Sequence, residues 1–367
     1  MLTSEPFTAP AAPDWQGFVR CITREGTPRR VHHIELFIDG EIQDEICRRY
    51  GLLMERDRAD PHFLLRRQVA VNWFLGYDYV CTTLDGVAPK LKGATTVDLA
   101  PRPRAGGRSF MEEHKGPITN WDEFESYAWP EPERASAGSL EWYSENLPDE
   151  MCIIATECFG QFAEHLAWLM GYESLCYALY DQRDLVAAIS RKLVEIQRAV
   201  LQRILEFERV KLIWGSDDMG FRTGTLISPA DMREFVLPGH KLMAQMSHDA
   251  GRPYMLHACG KLDAIMEDLI EDVRIDARHS FEDVIEPVTD AYDTYGGRIA
   301  ILGGIDVDFL CRADSEDVRR RVRRTLEHCM PGGGYCLGSG NSVANYIPVD
   351  NFLAMLDEGR RFAGSEA

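Results

Sequence analysis

The sequence is poor in basic residues relative to acidic ones and lacks the marks of several common protein classes. Its 367 residues include 40 Lys and Arg against 59 Asp and Glu, a formal net charge of −19. This balance argues against nucleic acid or an anionic membrane surface as the main partner. No apolar run reaches the ~18 residues of a membrane span, and residues 1–15 lack the basic and apolar regions of a signal peptide. We therefore expect a cytoplasmic protein that does not engage a membrane.

Paired cysteine motifs are absent as well. The ten cysteines include no Cys-x-x-Cys pair. In the cytoplasm their thiols are expected to be reduced, and most should be packed in the core, because free cysteine is among the most buried residue types. The chain is 45% hydrophobic, which allows a sizeable core. Its length suits two average domains or one large α/β barrel.

Segments of strand length alternate with segments of helical periodicity through most of the chain. A (β/α)8 TIM barrel is the fold class that eight such strands, each followed by a helix, predict. A doubly wound open sheet has a similar rhythm, but no Gly-x-Gly-x-x-Gly lies between the first strand and the first helix. The predicted strands are 31–38, 77–84, 151–157, 212–219, 254–259, 273–277, 299–303 and 334–337.

Two stretches depart from this alternation. Residues 1–14 are rich in Pro, Ala and Thr and are predicted to form a loose arm before a short helix at 15–24. Residues 85–150 hold many prolines and no clear periodicity, which predicts a long irregular insertion after the second strand. An insertion of this length usually carries function or covers a site. We expect residues 1–367 to form one barrel domain that includes both stretches.

A pair of candidate metal ligands lies at the end of the fifth predicted strand. His257 and Cys259 are two residues apart, and alternate residues of a strand point the same way. Imidazole and thiolate suit zinc, and a third ligand from elsewhere would leave one coordination position open for chemistry. The eighth predicted strand carries another potential ligand, Cys336.

Acidic residues follow or occupy other predicted strands. Asp217 and Asp218 lie at the end of the fourth strand, where a carboxylate at a barrel mouth can orient substrate or support a metal ligand. Capping of a loop or helix N-terminus is the structural alternative for either one. Glu35 shares a strand face with His33 and Phe37, and it lies in the mouth if that face points inward.

Motifs in the C-terminal half resemble the uroporphyrinogen decarboxylase superfamily. Their order and spacing fit over roughly residues 150–363, whereas the first 150 residues match only loosely, through Tyr77-Asp78-Tyr79-Val80. The resemblance implies a (β/α)8 barrel with its site at the C-terminal mouth. The motifs are Ser216-Asp217-Asp218-Met219-Gly220, Ile227-Ser228-Pro229, Leu237-Pro238, His257-Ala258-Cys259-Gly260, Gly303-Gly304-Ile305-Asp306, Gly333-Gly334-Tyr335 and Ile347-Pro348-Val349-Asp350-Asn351.

The superfamily contains two main activity classes. One is the cofactor-free decarboxylase of haem biosynthesis, and the other comprises zinc methyltransferases that pass methyl groups to or from a corrinoid on a partner protein. The decarboxylase holds its substrate carboxylates with the arginines of an Arg-Gln-Ala-Gly-Arg motif after its first strand. Here residues 33–41 contain three acids and no arginine, so a polycarboxylate substrate would meet repulsion. This favours the methyltransferase branch.

The methyltransferase branch implies zinc bound by His-x-Cys and a later cysteine. His257 and Cys259 match the first two ligands, while the later position falls on or near Asn341, five residues after Cys336. The third ligand is therefore Cys336, a residue near Asn341, or Glu157 at the end of the third predicted strand, because carboxylate also binds zinc.

The expected activity is methyl transfer between a small substrate and a corrinoid carried by a partner protein, with assistance from zinc. The substrate would be a methyl ether, a methanol-type compound or a thiol, and no Asp-x-His-x-x-Gly cobalamin motif occurs in the chain. By analogy with the superfamily, a homodimer is also expected. The expected catalytic residues are Asp217, Asp218, Glu35 and His279, and those expected to line the substrate pocket are Asp78, Asn341 and Glu157.

Two alternatives to methyl transfer stay open at this point. A metal-free decarboxylase-like lyase would use Asp78, Asp217 or Asp218 to polarise pyrrole nitrogens. A non-catalytic barrel would only bind a small ligand or a corrinoid protein. Zinc content separates the first alternative from methyl transfer.

Overall fold

A curled parallel sheet of seven strands forms the centre of the molecule. The structure, a computed structural model, describes residues 6–53, 58–91, 93–111, 113–156 and 160–364. The strand order is β1-β4-β5-β8-β9-β10-β11, and every neighbouring pair is parallel. These strands are Tyr79–Thr82 (β1), Cys152–Ala155 (β4), Val210–Ser216 (β5), Tyr254–His257 (β8), Ala277–His279 (β9), Ala300–Leu302 (β10) and Tyr335–Cys336 (β11).

Short hairpin strands and a layer of helices surround the sheet. The antiparallel pairs are Gly93–Thr96 (β2) with Arg108–Met111 (β3) and Gly220–Phe221 (β6) with Gly224–Thr225 (β7). The sheet is covered on its faces, so strands such as β1, β4 and β8 are buried at every position. The helices are Trp15–Ile22 (α1), Gly40–Tyr50 (α2), Phe63–Leu75 (α3), Trp121–Ser126 (α4), Gly138–Asn146 (α5), Ala163–Met170 (α6), Tyr172–Asp181 (α7), Arg183–Ile204 (α8), Pro229–Phe235 (α9), Leu237–Asp249 (α10), Val288–Tyr295 (α11), Val307–Arg312 (α12), Ser315–Cys329 (α13) and Val349–Gly364 (α14).

Residues 31–38, predicted as the first strand, lie beside β11 without forming a continuous ladder. Isolated parallel bridges join His33 to Leu337 and Ile38 to Val343. On the other side of this segment, the Tyr79 hydroxyl accepts a hydrogen bond from the Glu35 N–H (2.7 Å) and donates one to the Glu35 carbonyl (2.9 Å). A side chain thus satisfies backbone groups that a neighbouring strand would otherwise pair.

Helix α1 and the preceding arm cover the amino edge of the sheet. Asp14 caps α1 by accepting the Gly17 N–H (2.9 Å), and the Phe18 ring stacks on Tyr79 at 5.5 Å. Residues 6–14 have no helix or strand and lie against α14, where Thr8 donates to Asp357 (2.8 Å).

The insertion at 85–150 contains β2, β3, α4 and α5 and reaches the carboxyl edge of the sheet. Asn345, in the loop after β11, accepts a hydrogen bond from Arg108 (2.6 Å) and donates to Asp98 (2.6 Å). The insertion therefore borders the edge at which the parallel strands end. In the described part of the chain, no helix has the length and apolar character needed to cross a bilayer.

One strand starts later than its sequence predicts, and this matters for the site. Residues 273–277 were predicted as the sixth strand, but β9 begins at Ala277, because Asp268–Val273 forms a π-helical turn that ends at a left-handed Arg274 (φ 66°). His279 is consequently the last residue of β9 and does not lie in the loop that follows the strand.

Candidate metal centre

Three side chains with metal-binding atoms meet at the carboxyl edge of the sheet. They are Asp218, His257 and Cys259, whose ligand atoms all lie within 4.8 Å of one another. His257 ends β8, and Asp218 follows the adjacent strand β5. The Nε2 atom of His257 lies 3.3 Å from Cys259 Sγ and 3.9 Å from Asp218 Oδ1. Parallel neighbours end at the same edge, which is why His257 and Cys259 converge with Asp218, although they follow it by 39 and 41 positions.

A glycine after Cys259 brings its loop close to the segment that follows Asp218. Gly260 has φ +89°, and a Cβ atom built there would lie 2.2 Å from the Gly220 carbonyl carbon. The loop then pairs with the β6–β7 hairpin, where the Lys261 N–H donates to the Phe221 carbonyl (2.8 Å). Only glycine allows this close backbone approach at a left-handed φ.

The sulfur of Cys259 accepts two hydrogen bonds from other segments. Asn341 Nδ2 donates at 3.3 Å and Ser280 Oγ at 3.5 Å. Ser280 adopts φ +87°, a conformation that costs a non-glycine residue about 1–3 kcal/mol and persists only where its surroundings impose it. Burial and the neighbouring Asp218 raise the pKa of the Cys259 thiol. Donors that favour a thiolate thus coexist with a setting that disfavours it, a conflict that a bound cation would remove.

His257 is a neutral imidazole in this setting. Its side chain is almost fully buried, and burial lowers its pKa to about 4 against the opposing effect of Asp218 and Asp217. At neutral pH one ring nitrogen therefore keeps a free lone pair, the form in which histidine binds metals. The other ring nitrogen, Nδ1, contacts His279, whose own Nδ1 atom lies 2.8 Å away.

His279 lies directly behind the metal group and is fully buried. It is in register with His257 across β8 and β9, and its ring packs edge-on against Trp214 with centroids 5.3 Å apart. Burial lowers its pKa, and the nearby His257 adds to this. His279 therefore contacts a candidate metal ligand but does not itself belong to the group of three.

Asp217, predicted to be catalytic together with its neighbour, caps the start of a helix. Its carboxylate accepts the N–H groups of Phe162 (3.1 Å), Ala163 (2.9 Å) and Glu164 (2.9 Å) at the start of α6, and it contacts His240 Nε2 at 2.9 Å. It is completely buried, and these contacts occupy both of its oxygens. The physical reason is the positive end of the helix dipole, which favours a buried carboxylate there.

Two further predicted site residues lie away from the metal group. Asp78 precedes β1 and so lies at the amino edge, where it pairs with Arg30 and with His32 Nδ1 (2.8 Å). Cys336 is fully buried beneath α1, with its sulfur 3.7 Å from that of Cys21. Strand direction thus separates Asp78 from the metal group, because Asp78 precedes its strand whereas Asp218 and Cys259 follow theirs.

Glu35 is buried near the carboxyl edge beside the loop after β11. Its carboxylate accepts hydrogen bonds from the Ser339 N–H (2.7 Å) and the Ser339 hydroxyl (2.5 Å). Burial raises its pKa to about 8, although both Ser339 contacts oppose the rise. Glu35 also lines a cavity of about 180 Å³, together with Tyr79 of β1 and several residues of α3 that include Gln68.

One acidic residue near the group was not singled out in the sequence. Glu164, in the first turn of α6, has its pKa raised to about 9 by burial and by the charges of Asp218 and Asp217. Its position could have been found from the sequence, because the helix after the third strand of a barrel begins at the mouth. Glu157, predicted for the pocket or as a ligand, lies outside the described residues, whereas Asn341 contacts Cys259 directly.

Residues 116–362 match the model of the uroporphyrinogen decarboxylase (URO-D) family. The chain belongs to this family. A methylated-thiol–coenzyme M methyltransferase from Methanosarcina mazei is 32% identical over 133 residues, which are 36% of this chain and 33% of that protein. The chain thus matches about a third of the length of this curated relative.

Two solved structures are similar in fold. A methyltransferase from Methanosarcina mazei superposes with a TM-score of 0.68 at 14% identity, covering 94% of this chain and 98% of the other. A putative vitamin-B12-independent methionine synthase from Listeria monocytogenes has a TM-score of 0.50 at 12% identity, covering 91% and 96%. At these identities the similarity establishes a shared fold for this URO-D family member.

Proposed function

We propose that this URO-D family protein is a methyltransferase that moves a methyl group between a small substrate and a corrinoid carried by a partner protein. In this proposal Asp218, His257 and Cys259 hold a zinc ion. The observation that carries it is the convergence of one imidazole, one thiol and one carboxylate within 4.8 Å at the carboxyl edge of the sheet. The third ligand is then Asp218, in place of Cys336, Glu157 or a residue near Asn341.

Two of the three separations between the ligand atoms are close to those around a tetrahedrally coordinated ion. Bonds of about 2.0–2.3 Å place tetrahedral ligands about 3.3–3.8 Å apart. His257 Nε2 lies 3.3 Å from Cys259 Sγ and 3.9 Å from Asp218 Oδ1, so these two contacts need little adjustment, and all three ligand atoms lie within 4.8 Å of one another. The chemistry also fits, because a neutral imidazole, a sulfur with two hydrogen-bond donors and a carboxylate are all zinc ligands.

Three protein ligands leave a fourth position for substrate. The Asp218 side chain is 54% exposed, so the group opens toward solvent on that side, while His257 is buried behind it. When bound, zinc would polarise the oxygen of a methyl ether or alcohol, or lower the pKa of a substrate thiol. Asn341 and Ser280 would hold the Cys259 sulfur in place by their hydrogen bonds.

Methyl transfer is the part of the proposal that the relatives support, because the curated relative and one structural neighbour are named as methyltransferases. The sequence has no Asp-x-His-x-x-Gly cobalamin motif, so the proposed corrinoid would arrive on a separate protein. The insertion at 85–150, which borders the carboxyl edge through Asn345, would then help to shape the small-substrate pocket.

The decarboxylase alternative is less well supported by the acids that it requires. Of the three acids expected to polarise pyrrole nitrogens, Asp78 is paired with Arg30 and His32 at the amino edge. Asp217 is bonded to the N–H groups at the start of α6. Asp218 alone is accessible at the carboxyl edge. Of these three acids a pyrrole substrate would therefore meet one, and residues 33–41 contain no arginine to bind its carboxyl groups.

We also infer that residues 31–38, the first predicted strand, complete the seven-stranded sheet to a closed (β/α)8 barrel and that residues 1–367 form one domain. The parallel bridges of this segment to the region of β11 support closure on one side. The Tyr79 hydroxyl, bonded to both backbone groups of Glu35, links it to β1 on the other.

Metal content tests the first half of the proposal. Purified protein should contain about one equivalent of zinc by elemental analysis, and the Asp218→Asn and Cys259→Ala variants should lose most of it. Cys336→Ser is the matched control, since its sulfur lies against Cys21 and should leave zinc content unchanged. Loss of zinc in the control but not in Asp218→Asn would show that another ligand set operates.

Methyl transfer tests the second half. The wild type, incubated with a reduced corrinoid protein and a panel of methyl ethers, methanol and methylated thiols, should convert the corrinoid to its methylated form, which is followed by its absorbance. Cys259→Ala should abolish the reaction. Zinc-loaded wild type that methylates no corrinoid from any donor, and that decarboxylates a porphyrinogen, would overturn the proposal.

A further inference from the structure

We propose that His279 is a positioning residue that holds His257 in the tautomer whose Nε2 lone pair points at Asp218 and Cys259. The metal half of this inference rests on the proposed function, while the tautomer itself does not. His279 touches no reacting atom and would act only through His257.

The contact between the two histidines determines that one of them donates. Their Nδ1 atoms are 2.8 Å apart, a hydrogen-bond distance, with ring centroids 5.0 Å apart. Two neutral imidazoles can share such a bond only if one Nδ1 carries a proton and the other a lone pair. Both rings are buried, so water does not offer an alternative partner to either atom.

The contact of His257 with Cys259 decides which ring is the donor. The Cys259 sulfur already accepts hydrogen bonds from Asn341 (3.3 Å) and Ser280 (3.5 Å), so in its 3.3 Å contact with His257 Nε2 the thiol is the donor and Nε2 the acceptor. The proton of the neutral His257 ring is then on Nδ1 and is donated to His279 Nδ1. The proton of His279 is on Nε2, which has no hydrogen-bond partner among the described residues but borders the same small space as the Ser339 carbonyl oxygen, since a Cβ atom built on Gly303 would lie 2.9 Å from the one and 2.3 Å from the other.

The acceptor side of this arrangement is itself held in place. Ser339 donates both its N–H and its hydroxyl to Glu35, at 2.7 and 2.5 Å. The backbone of the same loop is paired with the strand-end glycines, since the Gly304 N–H donates to the Ser339 carbonyl at 3.0 Å. The carbonyl that faces His279 thus has little freedom to turn away.

The consequence for His257 is a fixed direction of its free lone pair. With the proton on Nδ1, Nε2 is an acceptor and faces Cys259 Sγ at 3.3 Å. In the metal-free protein the thiol proton of Cys259 can occupy this contact, and a cation would take its place. The imidazole then needs neither a proton shift nor a ring rotation to bind metal, and such preorganisation through the distal nitrogen typically changes metal affinity about 10- to 100-fold.

Two amide variants separate positioning from packing. In His279→Asn the side-chain oxygen can occupy the place of Nδ1 and still accept from His257, whereas the amide of His279→Gln lies one carbon further along the chain. The ring nitrogens of His257 are followed in metal-free, 15N-labelled protein by long-range proton–nitrogen correlation spectra. The wild type and His279→Asn should show the Nδ1–H tautomer, and His279→Gln should show a mixture of tautomers.

The same variants are then titrated with zinc against a chromophoric chelator. His279→Gln should bind zinc about 10- to 100-fold more weakly than the wild type, and His279→Asn within about threefold of it. An Nε2–H tautomer in the wild type, or equal affinities in all three proteins, would overturn the inference. Wild type that keeps the Nδ1–H tautomer but binds no zinc would contradict the proposed metal centre and leave the positioning of His257 intact.

Discussion

Replacing Glu35 by glutamine should make the protein more stable at alkaline pH and flatten its stability profile. Glu35 is buried and accepts two hydrogen bonds from Ser339. Glutamine keeps an oxygen for the Ser339 N–H and can donate its amide to the Ser339 hydroxyl. The substitution therefore removes a buried charge while retaining the shape and the contacts of the side chain.

The size of the effect follows from the pKa of Glu35, which burial raises from 4.5 to about 8. Below pH 4.5 the carboxyl is protonated in the folded and the unfolded chain. Between the two values the folded protein holds a proton that the unfolded chain has released, so rising pH favours unfolding by about 1.4 kcal/mol per pH unit. Above about pH 8 the penalty is constant, with an upper limit of about 5 kcal/mol that water entry and relaxation reduce.

Urea denaturation at intervals from pH 6 to 9 measures this. The free energy of unfolding of Glu35→Gln should exceed that of the wild type by an amount that grows by about 2 kcal/mol between pH 6 and 8 and then levels off. Glu145→Gln, at an exposed site on α5, is the control and should show no such growth. A difference between Glu35→Gln and wild type that is independent of pH would refute the reasoning, because it would mean that Glu35 is ionised throughout.

Three further predictions concern the carboxyl edge. Asp217→Asn should destabilise the fold by about 2–3 kcal/mol in urea denaturation, because it weakens a charged cap of three N–H groups, and the variant should retain zinc. Loss of zinc with unchanged stability would contradict the capping role. Gly260→Ala should lower the melting temperature and the zinc content together, because its Cβ would press on Gly220, and an unchanged melting temperature would show that the loop can move away. Ser280→Gly should relieve the strained φ and remove a hydrogen-bond donor to the Cys259 sulfur. The variant should be at least as stable as the wild type and should bind zinc several-fold more weakly in chelator competition. Equal zinc affinity would show that the hydroxyl does not act on the sulfur.

Local patterns in the sequence determined helices such as α13 and one pair of ligands. The signals of α13 lie within a few residues of one another, because Asp314 caps its start and Val318, Val322 and Leu326 form its buried face. His257 and Cys259 were paired by their spacing alone, and the structure brings their ligand atoms to 3.3 Å.

The tertiary structure decided the roles of residues that the sequence could not tell apart. Asp217 and Asp218 are adjacent and chemically identical, yet the first faces the start of α6 and the second faces His257. Cys336 is as good a ligand in isolation as Asp218, but its sulfur points to Cys21. Which side chain reaches a site depends on strand direction, on the register between neighbouring strands and on the elements that pack against them, and these are set by contacts between residues far apart in the chain.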